Sequence, residues 1–175
     1  MTEEELVVKN LNFNTSLFLS RANNFIKMMY IFISSGEVEK IKPFVSEEVF
    51  KKIDDKVSLA KEHGEKVNYD EINVSCEIKD IVDNSTNVEI IVNATTKYLK
   101  YYTAIDDGHF LRGNTDERVK VIHIVTFQKM KNEVSKTYNC LGCGAPINIY
   151  ENLNCPNCGR AFDFADFDFI IKSFD

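Results

Sequence analysis

The 175-residue sequence predicts an α+β protein, in which N-terminal helices pack on a curved, cone-like antiparallel sheet and a small cysteine-rich module follows. Three observations predict this fold. Apolar residues recur at helical spacing up to about residue 64. From about residue 66 they recur at every second position, as in strands. Four of the five cysteines lie after residue 139.

Three helices are predicted in the N-terminal part. The first covers about residues 15–34, because apolar side chains repeat at alternating spacings of four and three, and Gly36 ends it. This stripe consists of Phe18, Ala22, Phe25, Met29 and Phe32. Ser34 followed by Glu37 predicts a capping box for a short second helix that Pro43 stops.

The third helix is predicted to begin after Ser46, a good N-cap residue, and to end at Gly64. Glu47 and Glu48 lie in its first turn, where negative charge stabilises a helix. Its inward side chains are predicted to be Val49, Phe50, Ile53, Val57 and Ala60. We interpret both helical stripes as buried core faces rather than as grooves for a partner.

Strands are predicted at about residues 69–82, 88–103 and 118–130, with a turn at 83–87. The second strand is long enough that a bulge or strong curvature is expected. Apolar residues on both faces are typical of central strands. They include Ile90, Ile91, Val121, Ile122, Ile124 and Val125. The helices are expected to cover the concave face of this sheet.

A last strand is predicted where Phe167, Phe169 and Ile171 alternate with Asp166 and Asp168. These apolar side chains need cover, and the acids mark an outward edge, so the strand is expected to return to the main sheet. The chain is thus divided into a helix-and-sheet unit at 1–135, a cysteine module at 136–165 and a closing strand at 166–175.

The cysteine module has the pattern C-x2-C-x11-C-x2-C, formed by Cys140, Cys143, Cys155 and Cys158. Each pair is followed by a glycine that permits a positive-φ turn, so that both thiolates face one point. Two such knuckles predict a four-sulfur zinc site, structural because four protein ligands leave no open position. Iron in the same site stays an open alternative.

Disulfides are disfavoured for these cysteines, because the cysteine count is odd and the N-terminus does not resemble a signal peptide. The fifth cysteine, Cys76, alternates in phase with Ile72, Val74 and Ile78. It is therefore predicted to lie on the apolar face of a strand, where a cysteine behaves as a small hydrophobic residue and not as a ligand.

The formal net charge is −6, and the acidic N-terminus does not resemble a targeting sequence. No apolar run approaches the roughly 20 residues that span a bilayer, so we expect a cytoplasmic protein for which attachment to a membrane surface stays open. From residue 136 onward five acids oppose three bases, which disfavours a nucleic-acid partner for the cysteine module. The sequence indicates no oligomeric state.

Several segments resemble a known family. They are IKPFVSEEVF at 41–50, DEINV at 70–74, YLKYY at 98–102, GHFLRGN at 108–114, which is taken as a loop, and VTFQK at 125–129. Followed by the four-cysteine ribbon, they resemble bacterial proteins with a domain akin to the mitochondrial inner-membrane translocase subunit Tim-forty-four. That family has a nuclear-transport-factor-two-like cone fold. Leu141-Gly142 and Phe169 depart from its usual proline and tryptophan, and neither change removes a ligand.

The resemblance implies a non-catalytic binding or scaffold module that recognises a protein or a lipid surface, with no catalytic residue to carry over. The aromatic residues Tyr98, Tyr101, Tyr102 and Phe110 lie near one end of the long strand and are interpreted as packing residues. The alternative function is an enzyme with a pocket near His123, which is in phase with Val121 and Val125. For catalysis, His123 would need a carboxylate in the same pocket. The other two histidines, His63 and His109, are expected at the surface.

Overall fold

The computed structural model describes residue 2 and residues 15–130, 138–140, 142–147, 154–160 and 169–175. Helix α1 is Thr15–Ser35 and helix α2 is Glu47–Glu62, with short 3-10 turns at Val38–Lys40 and Lys42–Phe44 between them. The main sheet has the order β1-β2-β3-β6 and is antiparallel throughout. Its strands are Glu65–Asp83 (β1), Asn87–Ala104 (β2), Phe110–Met130 (β3) and Ile170–Phe174 (β6). The predicted α+β architecture is confirmed.

A second, two-stranded sheet lies in the cysteine module, where Tyr138–Asn139 (β4) pairs with Pro146–Ile147 (β5). The boundaries predicted for this module, 136–165, fall partly outside the described residues.

Helix α1 packs on one face of the main sheet through the stripe read from the sequence. All five residues of the stripe are buried, and Phe18 and Ala22 are 2% and 0% exposed. The ring of Phe18 meets the edges of Phe127 in β3 and Phe169 before β6, with ring centroids 5.5 and 5.3 Å apart. Each such buried side chain contributes about 1.5–3 kcal/mol, so this face holds the helix to the sheet.

The predicted helix ends are mostly confirmed. Gly36 has a φ of +77°, as a residue just past a helix requires, and the Val49 N–H donates to Ser46 Oγ (3.2 Å) at the start of α2. The capping box at Ser34 is wrong. Ser34 lies inside α1, where its hydroxyl accepts from the Tyr69 N–H of β1 (2.8 Å), so it joins helix to sheet instead.

The strands extend further than predicted, and β3 begins at Phe110. The segment taken as a loop at 108–114 is therefore mainly strand, since Gly113 pairs with Tyr101 of β2. The pairing register is interrupted in two strands near the same part of β2. One bulge lies between Asp70 and Asn73 in β1, and the other lies in β3 opposite Tyr98–Lys100. These bulges produce the curvature expected of long strands.

Strands β2 and β3 are the central strands of the sheet, as predicted, but the outer face of β3 is not covered. Val125 is fully buried against the helices, but Ile122 and Ile124, which face the other way, are 63% and 41% exposed. No element of the described chain covers that outer face, because both helices pack on the concave side.

Strand β6 returns the chain to the main sheet beside the start of α2. The Ser46 N–H donates to the Ile171 carbonyl (2.8 Å), and Ser46 Oγ donates to the Lys172 carbonyl (2.8 Å). Ile171 and Phe169 are buried in the core. The closing strand thus lies somewhat later than the alternating segment suggested, and residues 166–168 of that segment lie outside the described residues.

Candidate metal centre and binding pocket

The four predicted ligands meet at one point. The Cys140 and Cys158 sulfurs are 3.6 Å apart, those of Cys143 and Cys155 are 3.8 Å apart, and all four lie within 4.8 Å of one another. A tetrahedral site with metal–sulfur distances of about 2.3 Å has sulfur–sulfur edges of about 3.8 Å. The cluster therefore fits one tetrahedral metal ion, and the four cysteines are compatible with a metal site.

Each knuckle points backbone or amide donors at the sulfurs. The Gly142 N–H donates to Cys140 Sγ (3.3 Å), and the Asn157 side-chain amide donates to Cys143 Sγ (3.4 Å). The hydrogen bond from this amide is the main reason that the pKa of Cys143 is lowered to about 6. Such donors favour the thiolate form that a metal ligand must take.

Gly142 is packed against the second knuckle. A Cβ at this position would lie 3.1 Å from Arg160 Cδ and 3.4 Å from Cys158 Sγ. The stem of Arg160 thus lies over the first knuckle, and it would have to shift by a few tenths of an ångström to admit a Cβ at 142.

The fifth cysteine is not part of the cluster. Cys76 is 6% exposed in β1, its N–H donates to Asn23 Oδ1 (2.8 Å), and burial raises the pKa of its thiol to about 12. It behaves as the small core residue that its alternation predicts.

A pocket of about 260 Å³ opens between the two helices and the concave face of the sheet. Its walls are mainly apolar and include Met29 and Ile33 of α1, Ile53 and Val57 of α2, Val121 of β3 and Phe174 of β6. This volume is close to the lower end of the range of about 300–1,000 Å³ typical of small-molecule pockets.

Three tyrosines form one side of this pocket. The ring centroids of Tyr30, Tyr69 and Tyr98 lie 4.9 to 5.2 Å from one another. Burial is the first cause that raises the pKa of each phenol, so all three hydroxyls stay protonated at neutral pH. They can donate hydrogen bonds into an otherwise apolar space.

Two lysines of α2 bring positive charge to the pocket. Lys56 Nζ donates to the Tyr69 hydroxyl (2.7 Å). Lys52 lines the pocket one turn earlier and is ion-paired at its rim with Glu48 (3.3 Å) and Asp175 (3.7 Å). Because Tyr69 accepts from Lys56, its own proton is directed elsewhere. No carboxylate lies among the residues that line the pocket.

His123 is the sequence candidate that reaches this pocket. Burial lowers the pKa of His123, a hydrogen bond to the Asp175 backbone opposes this shift, and the nearby Lys56 lowers the pKa further. The ring is therefore neutral at pH 7. The carboxylate that acid–base catalysis would need beside it is absent from the pocket lining.

The other sequence candidates do not gather in one site. His63 and His109 are exposed, Phe110 is 52% exposed, and Tyr101 donates to Asp70 Oδ2 at the surface (2.5 Å). Of the four aromatics, Tyr98 alone lines the pocket. Sequence reasoning missed Lys56, Tyr69 and Phe174, although lysines at 52 and 56 flank the apolar stripe of α2 at a spacing of four.

Helices on the concave face of a bent four-stranded antiparallel sheet, with a pocket between the layers, define a cone-like α+β domain. A family model described as the Tim44-like domain matches residues 5–140, and the chain belongs to this family. No curated protein matches the chain in sequence. The match ends at Cys140, so three of the four clustered cysteines lie beyond it.

Membership of this family indicates a binding or scaffold role in general, since Tim44-like domains typically bind proteins or membranes. Neither described helix is long and apolar enough to cross a membrane.

Proposed function

We propose that this protein is a non-catalytic binding module whose concave pocket takes up the apolar chain of an anionic lipid at a membrane surface. The observation that carries the proposal is the composition of the pocket. Its walls are apolar, two lysines and three protonated tyrosines supply donors, and no carboxylate lines it. An anionic head near Lys56, with an apolar chain against Ile53 and Phe174, satisfies both parts.

The same composition argues against the enzymatic alternative. A neutral His123 could accept a proton, but an apolar cavity without an acid partner for it supports binding better than acid–base chemistry. Fold alone does not support catalysis.

We propose further that the four-cysteine cluster holds zinc as a structural ion. The sulfur–sulfur distances fit a tetrahedral ion, and four protein ligands leave no position for water or substrate. Within this proposal the metal stabilises the module, and the pocket does the binding.

The binding proposal is tested with decanoate, whose chain of ten carbons suits a 260 Å³ pocket, and with decanol as the uncharged control. Calorimetry is expected to show decanoate binding and much weaker decanol binding. Lys56→Gln should weaken decanoate binding several-fold, because the pocket loses a charge beside Tyr69. Lys51→Gln, on the exposed part of the same helix, is the matched control and should bind as the parent does.

Flotation with phosphatidylglycerol vesicles then separates a membrane lipid from a free acid. Binding to these vesicles that is lost in Lys56→Gln supports the membrane surface as the source. Equal affinity for decanoate and decanol, or parent-like binding by Lys56→Gln, would contradict the proposed role of the pocket.

A further inference from the structure

The outer face of the main sheet, turned away from both helices, carries an ordered pattern of side chains. Residues directly opposite on paired strands share a face, so Lys97 lies beside Lys120, and Thr95 beside Ile122. One row further, Asn93 lies beside Ile124. The two isoleucines, 63% and 41% exposed, therefore form an apolar centre on this face.

Charge is distributed unevenly around that centre. At one end Lys97 and Lys120 are directly opposite, an arrangement that destabilises a sheet unless a counter-charge is near. Neither lysine forms an ion pair within the described part of the chain. Toward the other end, Glu77 of β1 lies in the row of Asn93 and Ile124, and Asp80 lies one row further, beside Ile91; both acids are exposed on the same face.

We propose that this face is a homodimer interface, in which two sheets pack face to face about a two-fold axis that runs across the strands. Such an axis reverses the strand direction between subunits. Ile122 then meets Ile124 of the partner subunit, and the lysine end of each face meets the acidic end of the other. An axis along the strands would instead place lysines on lysines.

A second copy fits this face better than a differently charged partner does. An acidic partner would match the lysine end but would repel Glu77 and Asp80, and a basic partner would do the reverse. A face with a positive end, an apolar centre and a negative end is complementary to itself when it is inverted. The charge pattern therefore selects both the occupant and the orientation.

The available area indicates a weak dimer. Strands about 4.8 Å apart and side-chain rows about 6.7 Å apart give four strands and four rows a face of roughly 500 Å². This is less than two thirds of the roughly 800 Å² per partner in a standard interface. Association in the micromolar range, dependent on protein concentration, is the expected behaviour.

Sedimentation equilibrium of the full chain over two orders of magnitude in concentration tests the proposal. A monomer–dimer equilibrium is expected. Ile122→Glu places two charges at the centre of the interface and should raise the dissociation constant at least tenfold. Ile31→Glu, at a 37% exposed position on α1, is the matched control and should associate as the parent does.

Charge exchange tests the orientation. Lys97→Glu and Glu77→Lys should each weaken association, and the double variant should recover part of it, because the charges at 97 and 77 are again opposite across the interface. Parent-like helix content and zinc content verify that each variant is folded. A chain that is monomeric at every concentration, or an Ile122→Glu variant that dimerises like the parent, would overturn the proposal. So would a monomer that uses Ile122 to bind a different protein.

Discussion

The imidazole ring of His123 lies against the ring of Phe174, with centroids 4.6 Å apart and planes inclined by 43°. The contact joins β3 to β6 at the wall of the pocket. Residues on the two sides of the cysteine module in the chain are thus adjacent in space. The burial that lowers the pKa of His123 depends in part on a strand that follows the cysteines.

His123 is expected to make stability depend on pH. Its pKa is lowered in the folded state, so below the unfolded value of about 6.5 the unfolded chain binds the proton more readily. Stability is therefore lost as the pH falls below about 6.5. His123→Gln should unfold with a smaller loss of melting temperature between pH 7.5 and 5.5 than the parent. An identical slope in both proteins would contradict this assignment.

The purified protein should contain one equivalent of zinc, and Cys155→Ser should lose it, as elemental analysis will show. Loss of the ion should disorder the cysteine module while α1, α2 and the main sheet remain folded, because the module is too small to fold without metal. Without the metal ion that joins the two cysteine pairs, the unconstrained chain between β3 and β6 becomes only about twice as long. Loop closure therefore predicts less than about 1 kcal/mol of destabilisation for the main unit. Unfolding of the helices in Cys155→Ser would contradict the division of the chain.

Cys76→Ala should lower the free energy of unfolding by about 1–2 kcal/mol, since it removes a small buried group from a packed face. Its zinc content should equal that of the parent. Denaturant unfolding and metal analysis of the same sample measure both quantities, and a variant without zinc would place Cys76 among the ligands.

Gly113→Ala should be severely destabilising, by about 3 kcal/mol or more, because φ is +109° and a Cβ would lie 2.5 Å from Tyr101 Cα. Gly108→Ala is the matched comparison. Its φ is +75° and nothing lies within 4 Å of the added Cβ, so about 1 kcal/mol is expected. Equal losses in chemical denaturation would show that backbone conformation, and not the close approach of β3 to β2, decides the cost.

Deletion of residues 166–175 should lower the melting temperature by roughly 10 °C. It removes the buried side chains of Phe169 and Ile171, each worth about 1.5–3 kcal/mol, and both hydrogen bonds that Ser46 makes to β6. The uncovered edge of β3 at 125–128 should then promote larger oligomers. A truncated chain with the parent melting temperature and elution volume would show that β6 contributes little.

The helices and the cysteine cluster could be predicted because their signals are local. Phe18 and Phe25 follow the helical repeat, and Cys140 and Cys143 hold a spacing that the chemistry of one metal ion requires. By contrast, Gly113 and Asn114 have the composition of a turn but lie in β3, because pairing with β2 overrides local preference.

The pocket could not be predicted because no short segment contains it. Tyr30, Lys56, Tyr69, His123 and Phe174 come from five different elements and meet only after the sheet bends and β6 returns. Ser34 illustrates the same limit. Its spacing to Glu37 suggested a cap, but its true partner, Tyr69, is 35 residues away.

The position of β6 also governs the order in which the molecule can be completed as it leaves the ribosome. Phe18 packs against Phe169, and Ser46 hydrogen-bonds to Ile171, and both partners follow the cysteine module in the chain. That module must therefore be synthesised before the core of the preceding unit can close. Until then the nascent chain presents aromatic side chains and the open edge of β3 to its surroundings. These groups become covered only when β6, the last strand of the main sheet, has been synthesised, although the helices are made first.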